Sequence, residues 1–254
     1  MLCCYFDASY DSPTTVTVVS GWVASTAPWE RFDADWRILL VRYEVPYFHM
    51  REFAHSVGAF TTWKGEENKR ANFLRNAVDI IRACALQGFA CLVEHEPYAR
   101  TNAQYHLSEW VGTPYALAGR DCVAHANIWL RKDARGLDVD YIFKPGDADA
   151  GELRRVLVKD NQPAPIFAQG KSSVPGTVGV TPLQAADFAA YEVLKAHRLG
   201  ENLPLYRCRR SILELAKVLA WWGSYTESDL KALCERVQVP PRHMVQANAD
   251  AVQA

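Results

Sequence analysis

Two aspartates set among apolar residues are the groups in this chain best placed to do chemistry. Asp7 follows the strand-forming run from Cys3 to Phe6 and precedes Ala8, Ser9 and Tyr10, so its carboxylate is expected at the end of a first strand. In open α/β sheets that edge is where ligands bind. An Asp there equally serves to begin a turn toward Pro13 by hydrogen-bonding its own backbone. Asp187 stands in the mostly apolar stretch Pro182 to Glu192. At about 100° per residue, Leu183, Ala186, Ala190, Val193 and Leu194 form a buried arc, with Gln184, Asp187 and Tyr191 on its border. An ionised acid at such a margin needs a hydrogen-bonding neighbour or a cation.

Other side chains extend the set. His49, in the run from Phe48 to Phe53, has the chemistry to contact phosphate or a metal-bound water, or to serve only in packing. Glu94, His95 and Glu96 close the run from Phe89 to Val93, and strand alternation sends both glutamates to one face, either as ligands or as an ordinary charged strand exit. Lys195, His197, Arg198, Arg207, Arg209 and Arg210 form the densest basic stretch, suited to phosphate contact or to a solvated face. No Gly-x-x-x-x-Gly-Lys loop, Gly-x-Ser-x-Gly elbow or His-Glu-x-x-His pair occurs. The seven cysteines show no Cys-x-x-Cys spacing and read as thiols with a packing role, not as zinc ligands or disulfides.

Positioning these groups requires regular elements. Leu2 to Asp7 and Thr15 to Ala24 predict an N-terminal hairpin, and Val45 to Met50 a third strand. Trp29, Phe32, Trp36, Leu39 and Leu40 recur at helical spacing after Pro28. Glu66 to Leu86 predicts a helix and Phe89 to Val93 a strand; Pro114 to Leu130 predicts a helix and Val139 to Phe143 a strand. Pro182 opens a helix to about Arg198. Beyond it a helix is expected from Ser211 to Trp222, and another after Thr226, where Asp229 completes a capping-box spacing. The order β-β-β-α-β-α-β-α is that of the ribonuclease H fold, whose carboxylates gather at strand ends.

The 254 residues are 49% hydrophobic and 22% charged, which excludes disordered and fibrous architectures and leaves ample apolar mass for a core. Twenty-eight Lys and Arg against 29 Asp and Glu give a net charge of -1, so any nucleic acid would be held by a local patch and not by a protein-wide field. No apolar run reaches the roughly 18 residues of a membrane span, and the start lacks the basic residues of a signal peptide. A cytoplasmic protein without membrane contact is expected.

Taken together, Tyr5-Phe-Asp7, Phe48-His-Met50, Phe143-Lys-Pro-Gly-Asp147 with Gly151, and above all Pro182-Leu-Gln-Ala-Ala-Asp187 with Ala190-Tyr191-Glu192 resemble the ribonuclease-H-like family known as domain of unknown function 3800. The resemblance spans residues 1–198, a ribonuclease-H-like domain of α/β class with a mixed sheet flanked by helices. Residues 199–254 are expected to form a C-terminal helical extension on the same core, its last residues disordered. The resemblance implies a nuclease that hydrolyses phosphodiester bonds with Mg or Mn, Asp7 and Asp187 being catalytic metal ligands; Asp147 is a further candidate metal ligand. His49, Lys144 and Gln184 would contact the nucleic-acid substrate. The family usually begins Asp-Glu-Ser-Gly, where this chain has Asp7-Ala8-Ser9-Tyr10, and ends its fifth strand on an acid, where this chain has Lys144. Two-metal cleavage needs anionic oxygens around cations about 3.5 to 4 Å apart. Asp147, Asp149 or Glu94 would have to complete such a set, or Lys144 supplies positive charge in place of one metal. The alternative is a catalytically degenerate module that binds nucleic acid or a protein.

Overall fold

The computed structural model describes residues 1–11, 15–133, 137–144, 149–172, 178–199 and 210–236. The expected hairpin forms: β1 (Leu2–Tyr10) runs antiparallel to β2 (Val16–Ser25). Asp11 closes its turn, accepting from the backbone N–H groups of Thr15 at 2.6 Å and Val16 at 2.8 Å. The chain enters α1 (Thr26–Arg42), where Trp29, Phe32, Trp36, Leu39 and Leu40 are all buried as their spacing predicts.

Val45 to Met50 is not a strand. The segment runs as an irregular connection into α2 (Met50–His55), followed by a 3-10 turn at Gly58–Trp63 and α3 (Glu67–Cys84). Pro46 lacks a donor for a ladder, and the amides of Phe48 and Met50 bond to the side chains of Gln184 and Asp187 instead. The third strand of the sheet is β3 (Gln87–Glu94), paired antiparallel with β2. Helices α4 (His95–Tyr105), α5 (Leu107–Val111) and α6 (Pro114–Asp133) lead to β4 (Val139–Phe143). Then come α7 (Ala150–Lys159), the two-residue β5 (Ile166–Phe167) and α8 (Thr181–Arg198).

The tail also departs from expectation. Its helix α9 (Arg210–Leu215) stops early, and Leu219–Tyr225 is strand β6, pairing parallel with β3. A short apolar run is ambiguous between helix and strand until a neighbour offers its edge. Helix α10 (Glu227–Arg236) has the capping box read from sequence: Thr226 N–H donates to Asp229 Oδ2 at 2.9 Å, and Asp229 N–H returns to Thr226 Oγ1 at 3.2 Å. The disorder expected for the last residues falls on 237–254, outside the described residues.

The result is an α/β architecture with a six-stranded mixed sheet, order β5-β4-β1-β2-β3-β6. β1, β2 and β3 are antiparallel, and β4 adds parallel to β1. Alternation along β1 divides the core. Leu2, Cys4 and Phe6 pack toward α6, whereas Cys3 and Tyr5 face the aromatic cluster that α1, α3 and α8 build on the other side. Helix α8 lies across β1 and β2 and is buried from Thr181 to Leu194, a wider face than the arc expected. No helix among the described residues is long and apolar enough to cross a membrane.

Candidate active site

Asp7 lies within β1, not at its end. The strand continues to Tyr10, while parallel β4 stops at Phe143, opposite Phe6. Lys144 N–H still donates to the Phe6 carbonyl at 3.0 Å, which delivers the Lys144 side chain onto Asp7. Its Nζ stands 3.1 Å from Asp7 Oδ2, and Ala8 N–H donates to Oδ1 at 2.7 Å. Asp7 is almost fully buried, on the face of the sheet covered by α8. Burial pushes its carboxyl up from 3.8 to about 7; Lys144 opposes that rise and the charge of Asp187 adds to it. Burial alone would lower the Lys144 ammonium, but Asp7 and Asp187 outweigh it and hold its pKa above the ordinary value.

Asp187 reaches the same place from the second turn of α8. Its Oδ2 accepts the Met50 N–H at 2.6 Å, and its Oδ1 lies 3.7 Å from His49 Nε2. His49 precedes α2, and its Nδ1, 3.4 Å from Glu52 Oε1, is buried without a hydrogen bond. Glu52 is itself braced, accepting from Tyr47 Oη at 2.8 Å and Lys171 Nζ at 3.0 Å. Burial raises the Glu52 carboxyl, but these two donors overcome it and set the pKa below the usual value. The structure thus brings Asp7, Asp187, Lys144 and His49 to the wall of one cavity of about 1090 Å³.

Gln184 borders this cavity too, with its amide largely spent on structure. Its Oε1 accepts from Trp36 Nε1 at 3.0 Å and from Phe48 N–H at 2.8 Å, and its Nε2 donates to the Gly170 carbonyl at 2.8 Å. It ties α1, the 45–50 connection and the loop before α8 together, which places His49 and the Met50 amide against Asp187. Asp147 lies outside the described residues. Glu94 is at the far end of β3, 3.4 Å from His197 Nε2, and Glu96 is in α4, paired with Arg100, so the two do not share a strand face. Arg198 sits 3.4 Å from Asp11; Arg207 and Arg209 fall outside the described residues. Lys171 and Glu52 carried no sequence signal beyond their charge, because their role arises from loops that meet only in the fold.

Among the described residues no group of three or more His, Cys, Asp and Glu side chains is arranged to hold a metal ion. The acidic pair offers two carboxylates, each with one oxygen engaged by a backbone amide. Cys4, Cys84, Cys91, Cys122 and Cys234 are buried free thiols, in keeping with a packing role. No family model, curated protein or solved structure matches the chain.

Proposed function

We propose that this cavity binds a phosphodiester of nucleic acid and hydrolyses it on a ribonuclease-H-like scaffold with one divalent cation, Mg or Mn. The observation that carries the reading is that residues 7 and 187, far apart in sequence, line one cavity where burial and mutual repulsion lift the Asp7 carboxyl to about 7. Like charges held together in a partly dry site cost stability, and such perturbed groups cluster where function requires them. The antiparallel β1-β2-β3 with β4 added parallel to β1 supports the scaffold assignment.

The donor set fits one cation and not two. Mg characteristically takes one or two protein carboxylates and completes its shell with water and substrate phosphate, which is what Asp7 and Asp187 would offer. The chemistry such a cation supplies when bound is Lewis-acid activation of the phosphodiester and of the attacking water. The chain's own contributions are positional and electrostatic. Ala8 and Met50 amides orient the two carboxylates; Lys144, held on Asp7 at 3.1 Å, carries the positive charge that negative charge developing on the phosphoryl oxygens requires.

Cleavage of single- and double-stranded DNA and RNA, each in Mg and in Mn, tests the proposal. Metal-dependent products that disappear in Asp7→Asn and in Asp187→Asn support it; products that persist in both variants refute it. The Lys144–Asp7 ion pair favours a second reading, a degenerate module that binds nucleic acid without cutting it. Binding without cleavage in either metal would select that reading.

A further inference from the structure

The cavity continues along β1 beyond the acidic pair. Cys3, Tyr5 and Asp7 all line it, since alternate residues of a strand share a face, and Tyr5 stands about 6.6 Å from Asp7 along the strand at the usual rise. The half-buried Tyr5 ring is fixed edge-to-face against Trp29, centroids 5.0 Å apart with planes at 81°. Trp29 is fixed in turn, its indole N–H donating to the Cys3 carbonyl at 2.9 Å. Among the described residues the Tyr5 hydroxyl has no hydrogen-bond partner, and burial pushes its pKa to about 12, so it stays a donor.

Charged groups of both signs line the cavity: Glu30, Asp33 and Arg37 of α1, and Lys144 and Lys171 as well as the acidic pair. Asp33 keeps its negative charge, bonded to Arg37 Nε at 2.7 Å and to Thr181 Oγ1 at 2.7 Å. A rigid aromatic ring, a free hydroxyl and neighbouring acceptors are the chemistry that receives a nucleobase.

We infer that the Tyr5 end is a base subsite, so that the substrate is single-stranded nucleic acid whose scissile phosphate lies at Asp7, Asp187 and Lys144 while the adjacent base stacks on Tyr5. This rests on the phosphodiester reading above. Stacking tolerates any base because each has a π-face. A base paired within a duplex enters only after unpairing, at a cost of a few kcal/mol, so the site selects against double strands.

Fluorescence anisotropy tests this with a labelled thymidine oligonucleotide and an abasic oligomer of equal length, in Ca in place of Mg to suppress turnover. The unmodified protein should bind the thymidine strand at least about fivefold more tightly than the abasic one, in line with roughly 5- to 150-fold for one stacked base. Tyr5→Leu should lose about tenfold on thymidine and nothing on the abasic strand, and Tyr5→Phe should keep the discrimination. Equal affinity of the unmodified protein for both oligomers, with both weakened by Lys144→Ala, overturns the base subsite and leaves the phosphate site standing. Failure to bind either oligomer overturns both.

Discussion

Replacing Asp7 by Asn should make the metal-free protein more stable above neutral pH while destroying its proposed activity, and the gain should grow with pH. An acid whose pKa rises from 3.8 to about 7 on folding binds more protons in the native state than in the unfolded chain between those values. Stability is therefore lost as pH rises through that window, and the full cost is present above it. One pKa unit is worth about 1.36 kcal/mol, so Asp7 costs roughly 2 kcal/mol at pH 5, where the folded protein holds it protonated, and roughly 4 kcal/mol at pH 8, where it is ionised. The attraction to Lys144 is already contained in that pKa. Asparagine keeps the shape and one oxygen to accept from Ala8 N–H, but it carries no charge, and its NH2 replaces the oxygen that accepts from Lys144 Nζ, a loss that lowers the gain equally at every pH. The stability of Asp7→Asn relative to the unmodified protein should thus grow by roughly 2–3 kcal/mol from pH 5 to pH 8. At about 2–4 °C per kcal/mol for a chain of this size, the melting-temperature difference between variant and unmodified protein should grow by roughly 4–12 °C from pH 5 to pH 8. Urea or thermal unfolding of both proteins in chelator at pH 5, 6.5 and 8 measures it. Equal or lower stability of the Asp7→Asn variant at pH 8, or a gain that does not grow with pH, would refute the account of Asp7 as a charge held against its own desolvation.

Three further outcomes follow from the same geometry. Lys144→Glu removes the ammonium 3.1 Å from Asp7 and adds a hard oxygen ligand, so Mn affinity by calorimetry should tighten at least about tenfold; unchanged affinity would place Lys144 outside the cation site. Gln184→Leu strands the Trp36 indole N–H and the Phe48 amide, both buried, and at about 1–3 kcal/mol for each unsatisfied group should cost roughly 2–5 kcal/mol in denaturant unfolding. Loss of under about 1 kcal/mol would show that Gln184 does not brace the site. In Gly21→Ala the added Cβ would lie 2.0 Å from the Tyr5 carbonyl oxygen, prising β1 from β2; a cost of about 3 kcal/mol is expected by unfolding, and a neutral substitution would contradict the close approach.

Much of the fold was legible because its longer elements have strong periods. The spacing of Trp29, Phe32 and Trp36, the 18 residues of α3 and the Pro-led starts of α6 and α8 announce helices whose buried faces do not depend on where they dock. The Thr226–Asp229 capping box is equally local. Asp7 and Asp187 stood out for the same reason, each being an acid inside an apolar pattern. Short apolar runs carried no such information: Val45 to Met50 became a connection because Gln184 and Asp187 claimed its amides, and Leu219–Tyr225 became a strand because β3 had an open edge. Those decisions depend on partners more than a hundred residues away. The same holds for the site. Sequence named acids and a lysine, but only the parallel pairing of β4 with β1 set Lys144 on Asp7, and only the packing of α8 across β1 and β2 brought Asp187 beside them. The raised Asp7 carboxyl is wholly a tertiary property, because it comes from burial and from a charge 180 positions along the chain. Local sequence dictates which elements form where periodicity is long, whereas the electrostatics of a site belong to the distances that folding alone creates.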